Sequence, residues 1–129
     1  MRLILALLAL LPGIAHAAEI AVRAEGPTLV PGTNISLTLM DVTDQRCPAN
    51  VACIWEGLIR VELSVTNGTD APKTIVLCNL CDGATRDAGM PGHTVSLLRL
   101  DPPVEFFLPL NRNPMLHDYT VTLAITAEP

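Results

Sequence analysis

The sequence predicts an all-β fold, an immunoglobulin-like sandwich of six to seven antiparallel strands. Apolar residues recur with a period of two in short runs. Turn residues interrupt each run before it reaches the roughly 10 to 12 residues that would favour a helix, and 11 Pro and 8 Gly punctuate the 129 residues. A chain of that length holds one domain.

Ile20, Val22 and Ala24 alternate up to Gly26-Pro27 and form the first expected strand. After Pro31-Gly32, Ile35, Leu37 and Leu39 point one way and Ser36 and Thr38 the other. Trp55 opens the strongest strand, where Ile59, Val61, Leu63 and Val65 share one face and Arg60, Glu62 and Ser64 the other, as in a sheet with one wet face.

Asn67-Gly68 supplies the positive φ of a hairpin turn, and Ile75 to Cys78 is the returning strand. A one-residue slip exchanges faces. A three-residue loop, Asn67-Gly68-Thr69, pairing Val61 with Ile75 and Ile59 with Leu77, therefore stacks apolar on apolar, whereas a two-residue loop does not.

Residues 79–93 are polar and read as an exposed connection, followed by a strand from Val95 to Leu100 that Asp101-Pro102-Pro103 ends. Residues 104–110, with Phe106, Phe107 and Leu108, read as a short strand or an apolar lid before the loop Asn111 to Pro114. In the last strand Tyr119, Val121, Leu123 and Ile125 alternate with Thr120, Thr122, Ala124 and Thr126, whose threonines favour extended backbone.

Residues 1–17 have the form of a cleaved secretory signal peptide. Arg2 precedes nine apolar residues, Leu3 to Leu11, and Ala15-His16-Ala17 is a small-x-small cleavage site, with cleavage after Ala18 as the alternative. Nine residues fall short of the roughly 20 that cross a membrane. Residues 18–129 are then a single exported β-sandwich domain, periplasmic or secreted, with no membrane span once the signal is removed. The 13 acidic and 8 basic residues give a net charge of −5, opposite to the basic surface that phosphate neutralisation requires, so nucleic acid is not an expected partner.

Four cysteines in an exported chain imply disulfides. Proximity favours Cys47 with Cys53 and Cys78 with Cys81, and an exchanged pairing of Cys53 with Cys78 stays open. Cys78-Asn79-Leu80-Cys81 also has the spacing of redox enzymes and of half a zinc site. Against redox catalysis, it ends a strand instead of opening a helix. Against zinc, Cys47 and Cys53 have five residues between them instead of two.

Asp44-Gln45-Arg46-Cys47-Pro48 followed by Cys53-Ile54-Trp55-Glu56-Gly57 resembles the D-x-R-C-P…C-x-W-x-G pattern of small exported or lipid-anchored bacterial proteins of unsettled function. The ending from Tyr119 to Pro129 also resembles theirs. Glu56 stands where that family has a small residue, and the family's frequent lipoprotein cysteine is missing. The resemblance implies a β-sandwich of the bacterial envelope with Cys47 to Gly57 as its hallmark loop, and no catalytic residues. Asp44, Arg46, Pro48, Trp55 and Gly57 are then structural: the disulfide ring fixes the loop, Arg46 snorkels or pairs with Asp44, and Trp55 covers a sandwich end.

Ser36, Ser64 and Ser96 all lie in mid-strand, and His93 and His117 are the histidines beyond the signal, so no Ser-His-acid set is expected. The acidic pairs Asp41 with Asp44 and Asp82 with Asp87 lack the alternation of a calcium loop. Asn34-Ile35-Ser36 and Asn67-Gly68-Thr69 fit a glycosylation pattern, but a bacterial setting discounts both. Met90-Pro91-Gly92-His93, a type II turn, and Met115-Leu116-His117, with Met115 and His117 pointing alike in extended backbone, offer thioethers and imidazoles that suit copper if they meet.

The resulting expectation is a non-enzymatic, disulfide-stabilised binding or structural module that engages an unknown protein or envelope component. The alternatives are a periplasmic copper-binding protein using Met90, His93, Met115 and His117, and a thiol-disulfide oxidoreductase using Cys78 and Cys81.

Overall fold

The computed structural model describes residues 17–48, 52–54 and 57–128. The signal segment, apart from Ala17, and Trp55 lie outside the described residues. Eight strands form: β1 (Ala18–Val22), β2 (Thr28–Leu29), β3 (Ile35–Arg46), β4 (Gly57–Asn67), β5 (Lys73–Cys78), β6 (Asp87–Met90), β7 (His93–Asp101) and β8 (Thr120–Ala127). They make two antiparallel sheets of four strands, β1-β8-β7-β6 and β2-β3-β4-β5. The fold is an all-β sandwich.

Alternation explains the core. Leu37, Val61, Leu63, Leu77, Val95, Val121 and Leu123 are buried between the sheets, and each comes from a strand whose apolar residues recur at every second position. Two strands have a register shift: β3 between Leu39 and Asp41, and β7 between Leu97 and Arg99. Each bulge inserts one residue, Met40 or Leu98, both exposed, and reverses which side chains face inward beyond it. In β3 the inward set therefore changes from Ile35, Leu37 and Leu39 to Val42, Asp44 and Arg46.

Three expectations are corrected. The described residues form eight strands instead of six to seven. β2 has only two residues, and β6, Asp-Ala-Gly-Met, is poor in strand-favouring types and forms because its hairpin lays it against β7. Residues 104–110 form a 3-10 helix instead of a strand, with Pro103 at its start, Pro109 inside and Phe107 as its buried residue. The β4–β5 register pairs Val61 with Leu77 and Leu63 with Ile75. That keeps apolar residues facing apolar residues, as anticipated, but the connection is two residues longer than a three-residue loop. A turn closed by Asp70 N–H on Asn67 O, with Gly68 at φ +59°, takes up the first part of it.

Candidate functional site

The two ends of the sandwich differ. One end, here the braced end, carries the β3–β4 hairpin tip, the segment after β5, and the long connection from Pro102 to Tyr119. The other carries the turns at residues 30–34, 66–72 and 91–92. The hallmark residues Asp44, Arg46 and Gly57 belong to the ends of β3 and β4, with Arg46 opposite Gly57. The expected loop is thus a long hairpin whose tip starts only at Cys47.

Inside this end, Arg46 ties the two sheets together. Its Nε and Nη2 donate to the two Asp44 carboxylate oxygens at 2.8 and 2.9 Å. Nη1 donates to Leu100 O and Nη2 to Pro102 O, both at 2.8 Å. The Tyr119 hydroxyl donates to Asp44 Oδ2 at 3.1 Å. The Asp44 and Arg46 side chains are only 5% and 16% exposed. A buried charge pair is tolerated when its remaining hydrogen-bond capacity is filled, and here two backbone carbonyls and a phenol fill it.

Burial pushes the Asp44 carboxyl pKa up, but the Arg46 hydrogen bonds and charge, with the Tyr119 hydroxyl, outweigh it and hold it below 3.8. Tyr119 moves the other way: burial, then the Asp44 charge and hydrogen bond, raise its phenol well above the ordinary 10.0. Its ring packs on Phe107, centroids 5.5 Å apart, and Phe107 meets Phe106 edge-on at 5.5 Å.

Gly57 is required for a geometric reason. It has φ +89°, and a Cβ there would lie 2.6 Å from Arg46 Cα and 2.7 Å from Cys47 N and Gln45 O. Asn79 holds the same spot from the other side, accepting the Ile59 N–H at 2.8 Å and donating to Gly57 O at 3.0 Å. The amide thus acts as an extra peptide group that prolongs β5 along β4. Sequence reasoning missed this role; its one signal was an Asn directly after a strand.

The disulfides are Cys47–Cys53 and Cys78–Cys81, with Cα–Cα distances of 6.1 and 5.6 Å. The exchanged pairing and the four-cysteine zinc site are therefore not formed. Cys78 is fully buried, whereas a redox enzyme of this spacing exposes its first cysteine as the nucleophile. Pro48 is half-buried just beyond Cys47.

An open groove of about 650 Å³ lies beside the Arg46 network. Asp44 contributes to it from β3, and Val104, Phe107, Leu108 and residues 111–114 from the connection. That connection is tied off by Asp118, which accepts from both Arg112 terminal nitrogens at 2.7 and 2.9 Å and from Met115 N–H at 2.7 Å. These bonds, the Arg112 ones first, push the Asp118 carboxyl pKa down. Ile54, Leu80, Phe106, Leu108, Leu110 and Met115 are exposed at this end.

The copper candidates are not brought together. Met90 and His93 face each other across the β6–β7 turn as expected, but Met90 is only 8% exposed and His93 Nδ1 donates to Pro91 O at 2.9 Å. Met115 and His117 lie at the braced end. Residues 116–118 form a 3-10 helix, so the shared direction expected of extended backbone does not apply. His93 pairs with Ala127 and Asp101 with Thr120, seven strand steps apart, which is about 23 Å at roughly 3.3 Å per residue. Among the described residues no three His, Cys, Asp or Glu side chains are grouped to hold a metal ion, and no helix is long and apolar enough to cross a membrane.

Compared with protein-family models, curated proteins and solved structures, the chain matches none of them.

Proposed function

We propose that this protein is a non-enzymatic binding module of the periplasm or cell exterior, an immunoglobulin-like sandwich that engages an envelope component through its braced end. The observation that carries this reading is where the exposed apolar side chains sit. Of the nine large ones among the described residues, Ile54, Leu80, Phe106, Leu108, Leu110 and Met115 are at that end, where Leu108 also lines the groove of about 650 Å³. Exposed apolar groups gathered on one part of a surface mark an interaction site more often than scattered ones do. Two disulfides at the same end support an oxidising compartment, and the leader-like residues 1–17 support export.

The resemblance of residues 44–57 to small bacterial envelope proteins points the same way. Catalysis is not favoured, because the charged groups of the groove are committed: Asp44 to Arg46 and Tyr119, and Arg112 to Asp118.

Site-specific photocrosslinking in the producing cell tests the reading. A crosslinker replacing Leu108 is expected to give a discrete adduct, and one replacing the exposed Leu29, toward the other end, none. Equal labelling from both positions, or none from position 108, would sink the proposal.

A further inference from the structure

We propose that Cys47–Cys53 is a thiol-exchange site, open to a protein dithiol at Cys53, and that Cys78–Cys81 is the permanent bridge although it has the C-x-x-C spacing. The inference rests on the accessibility of the four sulfur-bearing residues and does not depend on the binding reading.

Exchange requires a thiolate to reach one sulfur of the bridge while the other departs as a thiolate. In the C-x-x-C ring Cys81 is partly exposed but Cys78 is fully buried at the end of β5. Attack at Cys81 would expel the Cys78 thiolate into the core, and burial in apolar surroundings raises a thiol's pKa and makes it a poor leaving group. The ring cannot swing outward to relieve this, because Asn79 inside it is bonded to Ile59 N–H and Gly57 O, and Cys78 N–H donates to Thr85 O at 2.9 Å.

The other bridge has the opposite disposition. Cys53 is exposed on the hairpin tip and Cys47 is half-buried, past the last β3–β4 pair. A partner's first thiolate attacks Cys53 Sγ, forming a mixed disulfide as the Cys47–Cys53 bond breaks. Cys47 leaves as a thiolate and takes a proton from water. The partner's second thiolate then attacks its own sulfur in the mixed disulfide and releases Cys53, so the partner dithiol is oxidised by two electrons and the Cys47–Cys53 pair is reduced. The reverse sequence installs the bridge. Only the Cys47–Cys53 bond opens, while the Arg46–Asp44 network one residue inward keeps the sheets joined.

The test uses the folded, fully oxidised protein in graded dithiothreitol, with alkylation of released thiols read by mass spectrometry and strand content by circular dichroism. Cys47 and Cys53 are expected to label at least about tenfold faster than Cys78 and Cys81, with strand content unchanged. A dithiol oxidoreductase whose second cysteine is replaced by serine is expected to be trapped on Cys53. Equal or faster labelling of Cys78 and Cys81, trapping on Cys81, no trapping, or loss of strand content as the first bridge opens would each overturn the proposal.

Discussion

The braced end and the far end of the sandwich are built from the same strands but held by different means. At the far end the strands are joined by turns closed by backbone hydrogen bonds: Thr33 N–H on Val30 O and Asp70 N–H on Asn67 O. At the braced end an internal charge pair, an amide side chain posing as backbone and two disulfides do that work. The comparison teaches that strand alternation alone is enough where a turn only has to reverse the chain. Where a long connection and a groove must be held over the open end, buried polar groups are recruited, and each must be satisfied.

Equivalent glycine substitutions should break this contrast most sharply. Gly57→Ala drives a methyl group into backbone atoms at 2.6–2.7 Å, and a loss of about 3 kcal/mol or more is expected. Gly92→Ala at the far end has a similar positive φ, +67°, but nothing within 4 Å, so only the backbone cost of about 1 kcal/mol applies. Urea denaturation of the two variants checks the difference, and equal losses would refute it.

Next in size is Arg46→Met, which leaves Asp44 buried without its charge partner and takes the Arg46 donors from the Leu100 and Pro102 carbonyls. A loss of about 3 kcal/mol is expected. Combining it with Asp44→Asn should recover part of the loss, since the uncompensated charge is gone. A strictly additive double mutant would show that the pair does not act as a unit.

The pH profile sharpens the comparison further. Asp44 has a folded pKa below 3.8, so its contribution is complete above 3.8 and is lost as pH falls through the lower folded value. Tyr119 is raised above 10.0, so its contribution is complete below 10.0 and is lost as pH rises through the folded value. Stability should therefore fall below about pH 4 and above about pH 10. Asp44→Asn should make the acid fall shallower without abolishing it, because Asp118 is depressed as well. Tyr119→Phe should remove the alkaline fall and cost about 1 kcal/mol at neutral pH.

The smallest effect is expected from His93→Gln at the far end, within about 0.5 kcal/mol of the parent. Titration with Cu(I) and Cu(II) should leave the thermal midpoint of the parent protein unchanged. A rise abolished by both Met90→Leu and Met115→Leu would show that the two ends meet around copper.

Much of the fold was legible because its strands obey a period of two: Ile35, Leu37 and Leu39, then Val61, Leu63 and Val65, and Tyr119, Val121, Leu123 and Ile125 are all buried. The candidate site was legible only in part, as an Asp44–Arg46 pair beside a disulfide. What hid the rest was a change of phase. Without the bulge at Met40, even-numbered residues of β3 would point outward and Asp44 and Arg46 would read as surface charges. The partners of the network, Tyr119, Leu100 O and Pro102 O, lie 54 to 75 residues away along the chain, and two of them are backbone oxygens, which have no residue signature. The β4–β5 turn misled for another reason: parity fixes the face but permits loops that differ by two residues.

Thr85 and Arg86 hand the chain from one sheet to the other, Thr85 O taking the Cys78 N–H and Arg86 O the Leu97 N–H at 2.8 Å. One flank of the molecule is thus bridged at this crossing, although β5 and β6 belong to different sheets. On the opposite flank the outer edge of β3 is paired, among the described residues, only with the two-residue β2, over Ser36 and Leu37. Any growth of this protein by strand addition, whether a visiting peptide or a misfolded neighbour, has that flank as its point of entry.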